Sequence, residues 1–342
     1  MRPQWAAGRV RVRVPATSAN LGPGFDALGL ALALYDEVEA WVIPDGVTLE
    51  VTGEGADEVA DAGEKHLIVR AIRATFDDLG GSQPPGIALR CVNRIPHGRG
   101  LGSSAAAIVA GVLAARALAG ADTSPAAALP LANELEGHPD NVAPCLFGGL
   151  TIAWISDGAG ADPGLPRAAA SEGRASEDLR GRGEAPPGNT VRAIRLEALP
   201  GIAPVAIIAP EPVSTEVARG LLPAHVPHAD AARNAGRSAL LVAALTARPD
   251  ALLDATEDRL HQDYRAPAMP QTYRLVRSLR AAGVPAVVSG AGPSVLAFLE
   301  ASPAGRDRLD STVRETGIAW LVSPLDVERQ GASVTPVVPS VR

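Results

Sequence analysis

The sequence predicts a two-domain α+β protein. Its 342 residues suffice for about two domains of roughly 100–200 residues each. Hydrophobic residues make up 46% of the chain, enough for sizeable cores. Strand-like and helix-like segments follow one another without the regular alternation of a parallel sheet, which favours α+β over a doubly wound fold.

The N-terminal segments have a strand pattern. Alternating Arg and Val over Arg9–Val14 predict a half-buried strand that ends at Pro15. Small polar residues with Gly and Pro predict a loop over 16–26. Residues 27–43 are again typical of strand, as are 86–92. Apolar residues at helical spacing predict helices over 65–79, 104–119 and 125–136, followed by a loop and then a strand within 138–155.

Residues 157–189 divide the chain. They carry almost no large apolar side chains and show no periodicity, so they cannot bury enough surface to offset their ordering entropy. We predict a low-complexity flexible insertion there, between domains of residues 1–156 and 190–342. In the second domain, strands are predicted over 191–199, 203–210 and on both sides of a glycine turn in 284–300, and helices over 214–223, 231–245, 250–264 and 273–282.

Composition excludes several classes of function. The net charge is −7 and no basic stripe is present, which argues against a nucleic-acid partner. No apolar run approaches the ~20 residues of a membrane span, and no signal peptide is evident, so a cytoplasmic protein without membrane association is expected. Cys91 and Cys145 are isolated, which is typical of small buried hydrophobic residues.

The stretch PHGRGLGSSAA, Pro96–Ala106, combines a glycine-rich turn with the start of a helix. Gly98, Gly100 and Gly102 alternate, so successive backbone amides can point into one concavity. The first turn of a helix adds unpaired N–H groups and a partial positive charge. The stretch lacks the Lys of a Walker A loop, and we predict that its backbone binds phosphate.

This stretch resembles the P-x-x-x-G-L-G-S-S-A loop of the GHMP kinases. PATSANLGPGFDALGLAL near the N-terminus and SGAGPSVLAF near the C-terminus are similar to two further motifs of that family. The resemblance implies a ribosomal-protein-S5-like N-terminal domain that binds ATP, a ferredoxin-like α+β C-terminal domain, and Mg²⁺. The implied ATP-binding residues are Pro96, His97, Gly98, Arg99, Gly100, Leu101, Gly102, Ser103, Ser104, Ala105 and Ala106, with His66 near adenine, where many family members have Asn.

Four stretches, PATSANLGPGFDALGLAL, ELEGHPDNVAPCLFGG, STEVARGLLP and HQDYRAPAMP, resemble the homoserine kinase branch of the family. The resemblance implies transfer of the ATP γ-phosphate to the hydroxyl of L-homoserine, a step of threonine synthesis, and a homodimer. Arg219 and Arg265 are candidates for the substrate carboxylate, and Asp26 for its ammonium group. The other implied substrate contacts are Asn20, His138, Asn141, Thr215 and Gly290.

The resemblance leaves the proton acceptor and the metal ligands open. Asn141 is the candidate beside the hydroxyl, and since an amide is not a base, catalysis would rest on positioning and charge neutralisation. Asp140 is the rival, as a general base. Ser104 is the expected Mg²⁺ ligand at the helix start, and Glu134 is preferred over Glu136 as its carboxylate partner.

Two alternative functions fit parts of the sequence. One is another GHMP kinase, of mevalonate or shikimate type, whose substrate has a carboxylate but no ammonium group. The other is a catalytically silent ligand sensor on the same fold, against which the presence of Ser104, Glu134 and Asp140 argues.

Overall fold

The computed structural model describes residues 8–59, 62–156, 190–300 and 303–337. The predicted insertion, 157–189, lies outside these residues. The strands are β1 (Arg9–Ala19), β2 (Leu28–Ile43), β3 (Gly46–Gly53), β4 (Gly86–Asn93), β5 (Leu150–Ser156), β6 (Thr190–Leu196), β7 (Ile202–Ile208), β8 (Ala286–Val288), β9 (Val295–Glu300), β10 (Leu321–Pro324) and β11 (Ser333–Val337). The helices are α1 (Ala56–Val59), α2 (Leu67–Asp78), α3 (Ser103–Leu118), α4 (Pro125–Glu136), α5 (Pro139–Phe147), α6 (Thr215–Gly220), α7 (His228–Thr246), α8 (Leu252–Ala255), α9 (Gln262–Arg265), α10 (Pro270–Ala281) and α11 (Pro303–Glu315).

A seven-stranded mixed sheet forms the larger layer. Its path is β11-β1-β2-β4-β3, and β5 joins β2 and is followed by β6. β3 pairs with β4 in parallel, and the other pairings are antiparallel. Val10, Val12 and Val14 are buried while the arginines between them are exposed, as the period-two pattern predicts.

Helix α3 lies at the centre of the core on this sheet. It is apolar on all sides and is buried along almost its whole length, beside α2, α4 and α5. Gly111 allows α2 to approach closely, because a Cβ there would stand 2.7 Å from the carbonyl oxygen of Ile68. Packing around α3 therefore sets the position of its N-terminus.

A second, four-stranded antiparallel sheet has the order β10-β7-β9-β8. Leu275 and Leu279 of α10 and Leu309 of α11 pack against it in a separate core. The α+β class is thereby confirmed. The predicted division at 157–189 does not coincide with the division between sheets, because β6 and β11 complete the first sheet from the second half of the chain.

Three predicted elements differ from the observed ones. β1 does not end at Pro15 but continues to Ala19, because the register shifts between Pro15 and Ala16 and accommodates the missing N–H. Residues 139–147 form α5 rather than a loop; Pro139 occupies its first turn, where a proline N–H is not needed. The helix predicted over 250–264 is interrupted, since only α8 and the start of α9 lie within it.

Two glycine turns cross where the sheets meet. Gly100 has a φ of 73° and Gly290 a φ of 57°, both in the left-handed region. A Cβ on Gly100 would stand 2.2 Å from the carbonyl oxygen of Ser289. The turn after β4 and the turn after β8 are therefore in backbone contact that only glycine permits.

This contact predicts unequal costs for two glycine substitutions. Gly120 has a φ of 68°, but a Cβ placed there would meet no atom within 4 Å, so Gly120→Ala carries only the left-handed backbone cost of ~1–2 kcal/mol. Gly100→Ala adds an overpacking cost of ~1–3 kcal/mol. Urea unfolding of both variants measures the difference, and equal free energies of unfolding would contradict the contact.

Candidate active site

The loop between β4 and α3 is shaped by three left-handed glycines. The φ values of Gly98, Gly100 and Gly102 are 64°, 73° and 71°. Gly102 is the N-cap of α3 and has no side chain to cap the helix. The backbone N–H groups in the first turn of α3 are therefore left without a side-chain cap, at the end of the loop. The predicted anion-binding geometry, alternating glycines that lead into a helix N-terminus, is therefore present.

Both ends of the loop are held by other elements. Asp36 of β2 accepts hydrogen bonds from the amides of Arg94 (2.6 Å) and Ile95 (2.9 Å), just before Pro96. Burial raises the pKa of this carboxyl, while the two amide hydrogen bonds oppose that shift. Ser289 donates a hydrogen bond to the Gly100 carbonyl at 2.7 Å.

Arg99 stabilises the loop rather than presenting a charge to it. Its guanidinium donates to the carbonyls of Ala209 and Pro210, at 2.9 and 2.8 Å, beyond the end of β7. The Gly98 carbonyl accepts a hydrogen bond from the amide of Val213 at 3.1 Å. These contacts attach the loop to the smaller sheet and engage the Arg99 guanidinium, and the ATP contact predicted for Arg99 stays a prediction.

A cavity of about 270 Å³ lies beside the loop, against the start of α3. His66, the buried N-cap of α2, forms part of its wall, and the side-chain Nδ1 of His66 has no hydrogen-bond partner. Burial, with a smaller contribution from His97, lowers the pKa of His66, which favours a neutral imidazole. The remaining lining residues include Val14, Val38, Leu67, Asn93, Ser104 and Ala107.

The carboxylate next to Ser104 belongs to Glu136. The Ser104 hydroxyl donates to Glu136 Oε1 at 2.7 Å, whereas the Glu134 side chain is exposed. Residues two apart on a helix project about 200° from each other, so only one of the two glutamates can reach this point. The glutamate in contact with Ser104 is therefore Glu136 and not Glu134, the one preferred from the sequence.

The start of α5 carries a second polar group. His138 Nδ1 and Asp140 Oδ1 are 2.6 Å apart, and Asp140 is only 1% exposed. Burial alone would lower the pKa of His138, but the hydrogen bond and charge of Asp140 outweigh it and raise that pKa. Asn141 follows directly and accepts a hydrogen bond from Thr17 at 2.8 Å.

Asp26 and Arg219 form a two-point ion pair. The guanidinium nitrogens lie 2.8 and 3.3 Å from the two carboxylate oxygens, and both side chains are about one-third exposed. Asn20, Leu21 and Asp26 all have positive φ, which confines this loop to a strained conformation. The Asn20 side chain bridges the loop: its Oδ1 accepts a hydrogen bond from the backbone N–H of Asp26 at 2.9 Å, and its Nδ2 donates one to the Gly290 carbonyl at 3.0 Å.

Arg265 is buried behind this pair, at 1% exposure. One guanidinium nitrogen donates to His261 Nδ1 at 3.0 Å and to the Gly290 carbonyl at 3.2 Å, while its Nε has no hydrogen-bond partner. Burial and then the charge of Arg219 lower the pKa of Arg265 to about 10. The Phe25 ring lies close to both guanidinium groups, with its centroid 5.9 Å from Cζ of Arg219 and 5.5 Å from Cζ of Arg265.

Most of the residues that the structure brings together were predicted from the sequence, but several residues that hydrogen-bond to them or pack against them were not. Thr215 lies at the exposed start of α6, one turn before Arg219. The supporting residues Thr17, Phe25, Asp36 and His261 were not identified. His261 stood within a recognised stretch and could have been noticed, four residues before Arg265. Asp36 carries no signal in the sequence, because its partners are backbone amides in the loop that follows β4.

Three further findings concern the cysteines, metal clusters and membrane-spanning helices. Burial raises the pKa of Cys91 to about 12 and also raises that of Cys145, so neither thiol is a candidate nucleophile. Among the residues that the structure describes, no group of three or more His, Cys, Asp or Glu side chains is arranged to hold a metal ion. Across the same ranges, helices long and apolar enough to cross a bilayer are absent.

Family models match both halves of the chain. The model for the N-terminal domain of GHMP kinases covers residues 66–149, and the model for their C-terminal region covers residues 240–314. The first match contains the glycine loop and the Ser104–Glu136 contact. The second contains Arg265 and the turn at Gly290.

Similar proteins extend the match over nearly the whole chain. Homoserine kinase from Streptomyces coelicolor is 52% identical over 338 residues, 98% of this chain and 97% of its own length. Homoserine kinase from Clavibacter michiganensis subsp. michiganensis is 48% identical, with 98% of each chain covered. The structure of homoserine kinase from Cytophaga hutchinsonii aligns with a TM-score of 0.73 at 26% identity, over 98% of this chain and all of the other.

A mevalonate kinase structure aligns at a TM-score of 0.59 with 12% identity, which shows a common fold alone. The identity to homoserine kinases is far higher, 52% and 48%, and it extends over 98% of this chain. This chain therefore belongs to the GHMP kinase family, within its homoserine kinase branch.

Proposed function

We propose that this protein catalyses the transfer of the ATP γ-phosphate to the hydroxyl of L-homoserine, yielding ADP and O-phospho-L-homoserine for threonine synthesis. The observation that carries the proposal is a set of opposite charges, Asp26, Arg219 and Arg265, that is linked to the glycine loop through the turn at Gly290. The Gly290 carbonyl, bonded by Asn20 and Arg265, and the contact of the two glycine turns connect these charges to the loop. The whole-chain similarity to homoserine kinases supports the same substrate.

ATP would bind along the loop with its base in the neighbouring cavity. Backbone amides from Gly98 to Ser104 and the N-terminus of α3 would bind the phosphates, since the loop holds no lysine. The apolar walls around His66 fit a flat ring, and a neutral imidazole can accept a hydrogen bond from an exocyclic amine.

Ser104 and Glu136 fit Mg²⁺ by their chemistry. Both offer oxygen ligands, they touch each other, and Mg²⁺ in kinases takes one or two protein carboxylates together with substrate phosphates and water. Mg²⁺ bound there would neutralise part of the negative charge on the phosphate groups.

The amino and carboxylate groups of homoserine match the charges around Phe25. Arg265, whose nearest hydrogen-bond partners are neutral, would bind the carboxylate together with Arg219. Asp26 would bind the ammonium group, so that the zwitterion replaces part of the Asp26–Arg219 contact with new ion pairs. Thr215, at the exposed start of α6, would add a hydroxyl contact.

Proton transfer in this site would need no strong base. Asp140 shares a short hydrogen bond with His138 and is almost inaccessible, which favours a role in holding His138 over a role as general base. Asn141 would bind the substrate hydroxyl and align it with the γ-phosphorus. Phosphoryl transfer depends chiefly on such positioning and on charge stabilisation. A homodimer, which the family resemblance implies, and a cytoplasmic location, which the sequence composition predicts, stay predictions.

A panel of alcohols in a coupled ADP-release assay tests the function. We expect turnover with L-homoserine and at least ~100-fold lower kcat/KM with L-serine, L-threonine, mevalonate and shikimate, because these lack the matching chain length or the ammonium group. Preference for mevalonate or shikimate would assign another kinase activity. ATP binding without turnover of any alcohol would indicate a ligand sensor.

Glu136→Gln should reduce kcat/KM roughly 100-fold and weaken the dependence of the rate on Mg²⁺, because the carboxylate beside Ser104 is lost. Glu134→Gln is the matched control, two residues earlier on the same helix and exposed, and should stay within about twofold of the parent rate. Steady-state rates over a Mg²⁺ titration measure both variants. The reverse ranking would restore Glu134 as the ligand.

Asp26→Asn should raise the KM for L-homoserine roughly 10- to 100-fold, because an ammonium group loses its ion-pair partner at a partly desolvated site. Turnover of 4-hydroxybutyrate, which has the same hydroxyl and carboxylate but no ammonium, should change little. Asp250→Asn is the control, since Asp250 pairs with the exposed Arg248. Equal losses for the two substrates would show that Asp26 does not contact the ammonium group.

A further inference from the structure

Thr17 stands at the junction of three parts of the site. It is fully buried in the last segment of β1, after the register shift at Pro15. Its amide donates to the carbonyl of Leu101, within the phosphate loop, at 3.0 Å. The strand and the loop are therefore joined by a backbone hydrogen bond at this residue.

The Thr17 side chain links the loop to α5. Its hydroxyl donates to Asn141 Oδ1 at 2.8 Å. A Cβ on Gly102 would stand 2.0 Å from Thr17 Oγ1 and 3.1 Å from Asn141 Oδ1, so the hydroxyl lies against the Gly102 backbone. The alternating glycine at 102 is thus needed for the Thr17–Asn141 contact as well as for the turn.

This hydrogen bond determines which end of the Asn141 amide is available. A hydroxyl has one hydrogen, and that of Thr17 is used on the amide oxygen. The Asn141 NH₂ group, which can only donate, is left for other partners. A substrate hydroxyl held by this NH₂ group is bound through its oxygen, and its own hydrogen stays directed away from Asn141.

We propose that Thr17 is a positioning residue for phosphoryl transfer, which fixes the Asn141 amide with its NH₂ group toward the acceptor hydroxyl. The inference rests on the proposed kinase function. Because Thr17 also binds Leu101, it sets the acceptor hydroxyl and the γ-phosphate site at a fixed separation. Thr17 itself touches neither substrate.

Thr17→Val tests this role because valine has nearly the same shape but lacks the hydroxyl. We expect kcat with L-homoserine to fall ~10- to 100-fold, while the KM values for ATP and homoserine change less than about threefold, since alignment rather than binding is lost. Thr17→Ser keeps the hydroxyl and should retain at least about half of kcat. A kcat for Thr17→Val within twofold of the parent would overturn the proposal.

Thr75→Val controls for the loss of a buried hydroxyl. Thr75 is also fully buried, and its hydroxyl donates to the Ala71 carbonyl at 2.7 Å within α2. Both valine variants should lose similar free energy of unfolding in urea, but only Thr17→Val should lose kcat per folded enzyme. Equal loss of kcat in Thr17→Val and Thr75→Val would show that Thr17 has only a structural role.

A double-mutant cycle with Asn141→Ala separates positioning from a general effect. In the Asn141→Ala background, Thr17→Val should change kcat less than about twofold, because no amide remains to be oriented. If Thr17→Val costs the same factor in both backgrounds, the proposal fails. If Thr17→Val does not fold, Thr17→Ala replaces it in the cycle, with Thr17→Ser as the rescue.

Failure of the positioning role can be told apart from failure of the proposed function. If the parent enzyme prefers another alcohol in the panel, the assignment to homoserine fails. The Thr17 series measured with that alcohol still tests the positioning role.

Discussion

The structure of the site depends on one steric constraint: the phosphate loop passes between β1 and the turn after β8 with no room for side chains at Gly100 and Gly102. A Cβ at either position would come within 2.2 Å of an oxygen atom, from Ser289 or Thr17. Both glycines also have left-handed φ values that other residues adopt at a cost. The close approach places the N-terminus of α3, Asn141 and the charged residues near Gly290 within one connected unit.

The charged side chains that hold this loop do so through hydrogen bonds to backbone groups. Asp36 binds the amides of Arg94 and Ile95 ahead of the loop, and Arg99 binds carbonyls beyond β7. These hydrogen bonds attach the loop to both sheets, and they fix the orientation of its backbone amides before an anion binds. Preorganised dipoles of this kind need little rearrangement as charge develops during phosphoryl transfer.

The charged residues around Phe25 differ in how their charge is balanced. Asp26 and Arg219 balance each other and remain partly accessible to solvent. Arg265 is buried among neutral acceptors, and its lowered pKa reflects that cost. A buried cation without a carboxylate in contact is destabilising unless a ligand supplies one. The arrangement therefore favours a ligand that brings both signs of charge at a short separation, as an amino acid does.

Local sequence patterns were sufficient to predict the α+β class, most elements of the first half, the phosphate loop and the family. Periodicity, glycine spacing and ordered motifs encode these features, and each acts over a few residues. Only the folded chain reveals which glutamate joins Ser104, because the choice depends on which side of α4 faces α3. The same is true of the way β6 and β11 complete the first sheet, and of the support that Thr17, Asp36 and His261 give to the site. Those contacts join residues far apart in the chain, and their partners are mainly backbone groups, which leave no mark in the sequence.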